Sequence, residues 1–359
     1  MEGCLKDKVI YIIGTGARKV SQIPRAIREF TSDGARVYTM LSEMGKRVSG
    51  SSLSDFEIKD NTIVAGYSYK EEDLPLEDIV LVAPCTFNTL NKMASGIADS
   101  YPLTIVATAI GAKRKVMIAP AMQNNLWYHP ITSESLKRLE QWGCKIIWPV
   151  IVFDNVTMAP IEKVSDSVYH ELIGVRFDAC QLPADKDFDR LVSEYYTEFR
   201  RTGEELLENG LTKGSAGCMS MRINKGILVT SSRSQVGSLS KDEISLIKKV
   251  ENKKIIWQGR KQPSSETPIL TELYNRFMGI KALIHSHCLR ITYDDKMQRY
   301  CTQDYVRYGV FGEVEKASAI MEQNDGFVIL RYHGEVMSGM NLRDSLSKLR
   351  RRLEEAHGR

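Results

Sequence analysis

Two histidines one residue apart, His285 and His287, lie in the apolar stretch 282–289. Side chains at positions i and i+2 of a β-strand point to the same face, with Cα atoms about 6.6 Å apart. Two imidazoles at this spacing can bind one divalent metal through bonds of about 2.0–2.1 Å. A pair of core histidines with hydrogen-bond partners explains the dipeptide equally well, because a buried imidazole needs either partners or a ligand. The spacing alone leaves both interpretations open.

The composition excludes several classes of protein. The chain has 359 residues, 43% of them hydrophobic, which is enough for two domains with separate cores. A net charge of +4 with 26% charged residues predicts no nucleic-acid partner, which would require clustered lysine and arginine. Seven dispersed cysteines without a CxxC spacing predict a reducing compartment. With no signal-peptide pattern and no apolar run of about 18 residues, we expect a cytoplasmic protein without a membrane partner.

Short apolar runs alternate with helical periodicity between residues 8 and 150. A helix is predicted at 23–30, and strands are predicted at 9–13, 36–40, 79–83, 104–108, 115–119 and 145–148. Continuous apolar strands separated by helices indicate a parallel sheet covered on both faces. We therefore predict a doubly wound α/β domain whose ligand lies at the carboxyl ends of the strands.

The second half of the chain has a different pattern. A helix is predicted at 188–208, ending at Asn209-Gly210, and short strands are predicted at 226–230, 254–257, around the histidine pair and at 326–331. Periodicity lapses between residues 175 and 187, so we place one domain at 1–178 and the other at 186–359. Residues 150–175 show no clear pattern.

Several motifs in the second half resemble the class II aldolase/adducin family. They lie, in order, at 209–222, 226–233, 263–266 (Pro-Ser-Ser-Glu), 285–287 (His-Ser-His) and 330–334 (Leu-Arg-Tyr-His-Gly). The resemblance implies a mostly antiparallel sheet layered with helices. It also implies a divalent metal, commonly zinc, bound by His285, His287 and His333. Three neutral imidazoles leave coordination positions open for a substrate oxygen.

The chemistry that this resemblance implies is metal-dependent aldol cleavage. Cleavage of a ketose phosphate puts negative charge on an enediolate, which a metal stabilises as a Lewis acid. Glu266 matches the family's acid/base carboxylate, which exchanges a proton with the enediol. The retained histidines and Glu266 favour an enzyme over the metal-free adducin heads. Epimerases and dehydratases of the family use the same metal, so epimerisation and dehydration remain alternatives to aldol cleavage. A proton donor is not assigned, and Tyr300, Tyr305 and Tyr308 are the candidates.

The resemblance further implies a cradle of amides and small hydroxyls for a substrate phosphate. Its counterparts here are Gly217, Cys218, Thr230, Ser231, Ser232, Ser264 and Ser265. Such groups suit a phosphate because they donate hydrogen bonds without bulk. The family usually has asparagine in place of Cys218, glycine in place of Arg233 and asparagine in place of Tyr332. Arg233 adds a fork of charged donors, so we expect a small anionic, phosphorylated substrate that these residues and Arg233 bind.

The first half resembles the flavoprotein family that includes phosphopantothenoylcysteine decarboxylase and the flavin prenyltransferases. The motifs that carry the resemblance are 81–99 and 119–130. The resemblance implies a flavodoxin-like fold that binds FMN through Thr15, Gly16, Ser42 and the loop containing Pro84, Thr86 and Asn88. Small residues after a strand suit a phosphate because backbone N–H groups can approach it closely.

The sequence departs from the decarboxylases of this family. They carry a histidine where Lys70 is the nearest residue here, and Gln123 and Leu126 replace their signature asparagine and methionine. We therefore expect a flavin domain in which Asn88 and Asn124 bind substrate, rather than a cysteine decarboxylase. A bifunctional decarboxylase–lyase and a non-catalytic binding or assembly module are the alternatives. Because both families typically assemble, we expect a homo-oligomeric, multifunctional enzyme.

Overall fold

The computed structural model describes residues 3–49, 53–64, 74–152 and 155–357. The chain divides into two compact units, Met1–Ile173 and Gly174–Arg359. The predicted boundary lay between residues 178 and 186, whereas the strand Asp178–Leu182 pairs with a strand of the second unit and belongs to its sheet. Across the described ranges, every helix is too short or too polar to span a bilayer.

The first unit contains a six-stranded sheet in which all neighbouring strands are parallel, in the order β3-β2-β1-β4-β5-β6. Strands β1 and β4 are buried along their whole length because apolar residues occupy both faces. The strands are β1 (Val9–Gly14), β2 (Arg36–Leu41), β3 (Asn61–Ile63), β4 (Ile79–Cys85), β5 (Val116–Pro120) and β6 (Lys145–Ile146). A separate antiparallel pair consists of β7 (Val150–Val152) and β8 (Asn155–Thr157).

Helices cover both faces of this sheet. They are α1 (Ile23–Ser32), α2 (Glu43–Val48), α3 (Phe87–Ala94), α4 (Tyr101–Gly111), α5 (Asn124–Trp127), α6 (Pro130–Gln141) and α7 (Ile161–Ile173). Alternate residues of β1 and β4 pack into two different cores, one with α1 and α7 and the other with α3, α4 and α6. The doubly wound architecture is therefore confirmed.

The predicted strand at 104–108 is wrong, because this segment lies within helix α4. The helix begins after Ser100 with Pro102 in its first turn, a position that suits proline. Its buried residues Leu103, Val106 and Ala109 follow a three-residue spacing. This spacing places one face of a helix on the core, which a strand of the same residues would not do.

The second unit is built on a nine-stranded sheet in the order β15-β16-β17-β14-β10-β11-β12-β13-β9. Its inner pairs are antiparallel, and the two edge pairs, β15–β16 and β9–β13, are parallel. The strands are β9 (Asp178–Leu182), β10 (Cys218–Ile223), β11 (Gly226–Thr230), β12 (Ile244–Glu251), β13 (Lys254–Gln258), β14 (Ala282–Ser286), β15 (Cys301–Tyr305), β16 (Phe327–Arg331) and β17 (Gly334–Gly339). A mostly antiparallel layered sheet is the architecture that the family resemblance predicted.

Helices again lie on two faces of the sheet. They are α8 (Lys186–Glu208), α9 (Thr267–Arg276), α10 (Leu289–Thr292), α11 (Val314–Gln323) and α12 (Leu342–His357). Ala282 and Ile284 of β14 pack into the core with α8 and α12, while Leu283 packs into the core with α9 and α11. Because side chains alternate along a strand, His285 points to the face that carries α9.

Candidate functional site

Three histidines of the second unit converge at the end of β14. His285 lies in β14, His287 follows directly after the strand, and His333 occupies the turn between β16 and β17. The N–H of His333 donates to the carbonyl of Leu330 at 2.9 Å, which closes that turn. Tyr332, just before it, adopts a left-handed backbone with φ of 60°, an unusual conformation for a bulky residue.

The distances between these rings suit a single cation. The ring centroids lie 4.6 Å apart for His285 and His287, 4.9 Å for His285 and His333, and 5.2 Å for His287 and His333. One ligand atom from each ring lies within 4.8 Å of the others. The Nε2 atoms of His285 and His287 are 2.9 Å apart. Two nitrogens bound to one tetrahedral zinc would lie about 3.3 Å apart, given bonds of about 2.0–2.1 Å.

The protonation of His285 also fits a metal ligand. Its Nδ1–H donates to the backbone carbonyl of Glu335 at 2.9 Å, so the neutral ring presents a lone pair at Nε2. Burial, together with the neighbouring His333, lowers the pKa of His285 to about 4, although the charge of Glu266 opposes the shift. Nδ1 of His333 is enclosed without a hydrogen-bond partner among the described residues. The donor set therefore fits a divalent cation.

Glu266 lies beside this cluster. It occupies the N-cap position of α9, and only 6% of its surface is exposed. Its Oε1 lies 3.4 Å from Nε2 of His333. A buried carboxylate at this distance can exchange a proton with a molecule bound to the histidines.

Two of the three candidate tyrosines also lie near the histidines. The ring of Tyr308 is 5.5 Å from that of His333, and the ring of Tyr305 is 6.3 Å from it. Tyr300 instead donates its hydroxyl to Glu355 at 2.9 Å and packs in the core. The structure thus favours Tyr308 and Tyr305 over Tyr300 as groups that can reach a ligand of the histidine cluster.

The sequence analysis did not single out Glu335. Its side chain is fully buried, and burial raises the pKa of its carboxyl to about 7. The signal was present in the sequence, because Glu335 is the one acidic residue between Phe327 and Met340. An acidic residue in a run that forms two buried strands needs hydrogen-bond partners.

In the loops expected to bind phosphate, most of the polar groups already form hydrogen bonds within the protein. The hydroxyl of Thr230 accepts from the N–H of Met219 at 3.1 Å. Ser231 and Ser232 both donate their N–H groups to backbone carbonyls at 2.8 Å. Ser264 donates its N–H to the carbonyl of Thr230 at 3.0 Å. These contacts join the loops, so Thr230 and the backbone amides of Ser231, Ser232 and Ser264 act as a frame.

The remaining residues of the expected cradle surround this frame. The hydroxyl of Ser232 is enclosed without a hydrogen-bond partner among the described residues. Arg233 is exposed and has a left-handed φ of 62°. Gly217, with φ of 89°, lies against the carbonyl of His285, and Cys218 is the residue opposite His285 in the β10–β14 pair. Burial and the charge of Glu266 raise the pKa of the Cys218 thiol, which therefore stays neutral. Ser265 is buried directly before Glu266.

The first unit contains a cavity of about 1500 Å³ at the carboxyl ends of its strands. The strand order reverses between β1 and β4, which is where ligands of doubly wound sheets bind. Five of the six residues expected to contact a flavin line the cavity: Thr15, Gly16, Ser42, Thr86 and Asn88. Gln123 and Asn124 line it as well, and Asn124 Oδ1 accepts from the N–H of Val156 at 2.7 Å. Lys70 lies outside the described residues.

Thr15 and Pro84 join the two loops that border this cavity. The hydroxyl of Thr15 donates to the carbonyl of Pro84 at 2.6 Å and accepts from the N–H of Thr86 at 3.0 Å. Ser42 accepts from the N–H of Gly45 at 3.0 Å and caps α2. The hydroxyl of Thr15 is therefore used to position the two loops. Thr15 would contact a ligand through its backbone or methyl group instead.

Thr15→Val is expected to destabilise the first unit by about 1–3 kcal/mol, because it leaves the N–H of Thr86 without its partner and removes one of the two hydrogen bonds to the buried carbonyl of Pro84. Urea denaturation of the two proteins measures this difference. Thr104→Val is the matched control, since Thr104 is exposed and its hydroxyl donates to the carbonyls of Ala98 and Ser100, just before its own helix. Its effect should stay within about 0.5 kcal/mol. Equal losses in both variants would contradict the linking role of Thr15.

Comparisons with known proteins match the two units separately. Residues 1–173 match the family model described as Flavoprotein, and residues 197–350 match the one described as Class II Aldolase and Adducin N-terminal domain. The chain is 30% identical over 175 residues to the Coenzyme A biosynthesis bifunctional protein CoaBC of Thermococcus kodakarensis, covering 47% of this chain and 43% of that protein. It is 41% identical over 66 residues to phosphopantothenoylcysteine decarboxylase of Mus musculus, covering 18% of this chain and 32% of that protein. The chain thus spans less than half the length of these relatives.

Solved structures resemble each unit at low sequence identity. The FMN binding protein AtHal3 is 22% identical, with a TM-score of 0.39 over 45% of this chain and 95% of its own. L-fuculose-1-phosphate aldolase from Thermus thermophilus is 22% identical, with a TM-score of 0.35 over 46% of this chain and 92% of its own. The two family matches alone show that the chain combines a region of the Flavoprotein family, residues 1–173, with a region of the class II aldolase and adducin family, residues 197–350.

Proposed function

We propose that the second unit is a metal-dependent aldol lyase that acts on an anionic, phosphorylated sugar-like substrate. The observation that carries the proposal is the convergence of three imidazoles within 4.8 Å, with the buried carboxylate of Glu266 3.4 Å from His333. His285, His287 and His333 would hold a divalent cation, for which we propose zinc. When bound, this cation supplies Lewis-acid stabilisation of the negative charge of an enediolate.

The chain's own residues would bind the substrate and move its protons. Glu266 would exchange a proton with the enediol carbon or its neighbouring oxygen, because its carboxylate is shielded from water beside His333. Tyr308, whose ring also lies near His333, would exchange the proton of the hydroxyl that becomes the aldehyde carbonyl when the carbon–carbon bond breaks. Ser232 and Arg233 would bind the anionic end, since a hydroxyl and a guanidinium both donate hydrogen bonds to a phosphate.

We further propose that the first unit binds FMN in its cavity, so that the chain is a bifunctional flavoprotein. The support is the location of the cavity at the point where the strand order reverses, with small polar residues around it. Thr15, Gly16, Ser42, Thr86 and Asn88 line the cavity and would contact the flavin, and Pro84 would hold their loops in place through its hydrogen bond with Thr15. FMN supplies hydride and electron transfer when bound, and Asn88 and Asn124 would orient a second molecule.

Metal and flavin analysis of the purified protein tests both proposals. We expect a stoichiometric divalent cation and the absorbance of an oxidised flavin. Ketose phosphates should then be cleaved in an assay that couples to the aldehyde product, and exhaustive chelation should remove this activity until zinc is returned. Cleavage that persists after chelation would exclude the metal mechanism. A colourless protein that cannot be reconstituted with FMN would exclude the flavin assignment.

A further inference from the structure

We propose that Glu335 is the positioning residue of the metal centre, holding both members of the histidine pair from one point on the neighbouring strand. The inference rests on the proposed metal site. Glu335 lies in β17 opposite Ser286 of β14, and its side chain is 0% exposed. Ser286 separates the two histidines, so Glu335 is adjacent to the short segment whose shape sets their spacing.

The carboxylate of Glu335 accepts three hydrogen bonds, two of them from this segment. Its Oε2 accepts from the hydroxyl of Ser286 at 2.7 Å and from the N–H of Cys288 at 3.1 Å. Its Oε1 accepts from the hydroxyl of Thr292 in α10. The first two donors flank His287 in the sequence, so the backbone on each side of this histidine is tied to one carboxylate.

The backbone of the same residue holds the other histidine. The carbonyl of Glu335 accepts the Nδ1–H of His285 at 2.9 Å, which sets both the tautomer and the orientation of that ring. Glu335 also follows His333 by two residues, across Gly334. A Cβ atom at Gly334 would lie 2.3 Å from the carbonyl oxygen of Ser286, so the two strands are closely packed here. One short segment, residues 333–335, therefore contacts or contains all three ligands.

The chemistry of these contacts favours positioning over simple stabilisation. All three donors to the Glu335 carboxylate are neutral, namely the hydroxyls of Ser286 and Thr292 and one backbone N–H. Burying a carboxylate among neutral donors is costly, and an apolar residue would fill the same volume without that cost. An apolar residue, however, cannot accept hydrogen bonds from Ser286 and Cys288, the residues on each side of His287. Residues that orient metal ligands in this way typically change metal affinity about 10–100-fold when removed.

Metal titration of the full-length protein tests the proposal, with zinc affinity and the absorbance spectrum of bound cobalt as readouts. We expect Glu335→Leu to weaken zinc binding about 10–100-fold and to alter the cobalt spectrum. Glu335→Gln retains an acceptor for Ser286 and Cys288, and its amide can donate to Thr292, so it should restore most of the affinity. Ser220→Ala is the matched control, because Ser220 is also fully buried but bonds to Tyr274 at 3.1 Å. Its affinity and spectrum should be unchanged.

The outcomes separate this inference from the proposed function. A wild-type protein that binds no cation would overturn both. A wild-type protein that binds zinc, with Glu335→Leu binding equally well, would overturn only the role of Glu335. Equal losses in Glu335→Gln and Glu335→Leu would also overturn it, since the hydrogen bonds would not be the cause. If Glu335→Leu does not fold, the double variant of Ser286→Ala and Thr292→Val removes two of the three donors, and unchanged affinity in it would refute the inference.

Discussion

Replacing His285 with alanine is expected to abolish bound metal and lyase activity together. His285 contributes the most buried of the three imidazoles, and its hydrogen bond to Glu335 already orients the ring. Two remaining histidines bind a divalent cation far more weakly than three. Since the cation supplies several kcal/mol of transition-state stabilisation, we expect cleavage to fall by more than about 10³-fold. Elemental analysis and the coupled cleavage assay measure the two effects on the same preparation.

His129→Ala is the matched control for this experiment. His129 is an exposed histidine of the first unit that accepts from the N–H of Ile131 at 3.2 Å and caps α6. Its replacement should leave the metal content and the cleavage rate unchanged. A His285→Ala protein that keeps its full metal content would show that the histidine cluster is not the binding site.

Replacing Glu266 with glutamine is expected to reduce cleavage while the metal remains bound. Glutamine keeps the size of the side chain but cannot exchange a proton at neutral pH. General acid–base catalysis typically contributes about 10²–10⁴-fold to a rate, so we expect a fall in kcat of this size. KM should change little, because the proton is transferred in the transition state and not on binding.

The matched control for Glu266→Gln is the same substitution at a second carboxylate, Glu243. Glu243 is half-buried in the same unit, where it accepts from the N–H of Ser240 at 2.9 Å and pairs with Lys261 at 3.0 Å. Glu243→Gln should leave kcat unchanged. If Glu266→Gln loses its metal in proportion to its activity, then Glu266 is a metal ligand and not the acid/base. Full activity in Glu266→Gln would remove it from the mechanism altogether.

Apolar continuity made most of the first sheet predictable. Strands β1, β2, β4 and β5 were expected within two residues of their observed ends, because each is a short, mostly apolar segment rich in β-branched or aromatic residues. The same rule failed at 104–108, where threonine, isoleucine and valine favour a strand. Tertiary packing decides there, since only a helix buries Leu103, Val106 and Ala109 on one side. Local propensity cannot detect such a preference, because it depends on packing against other elements of the fold.

The residues of the histidine cluster were predicted from the sequence, whereas most of the contacts around them were not. The histidines and Glu266 carry short motifs with distinctive residue types, so sequence alone could name them. The partners of Glu335, and the choice of Tyr308 over Tyr300, depend on which strands and loops meet in the folded protein, which no local pattern encodes. Strand pairing β14–β17 brings Glu335 against Ser286 across about 50 residues of sequence. Contacts of this range are visible only once the sheet is assembled.

The glycines on either side of β14 limit how this protein can diversify. A Cβ atom at Gly217 would lie 2.6 Å from the carbonyl of His285, and one at Gly334 would lie 2.3 Å from that of Ser286. A larger residue at either position would displace β14, the strand that carries His285. We therefore expect both glycines to be retained in related proteins as strictly as the histidines. Arg233 and Tyr332 already carry side chains, although both use left-handed backbone, which favours only some residue types. If the second unit acts as proposed, we expect differences in substrate preference between related proteins to lie at the exposed Arg233 and at Tyr332, while the strand that carries His285 stays constant.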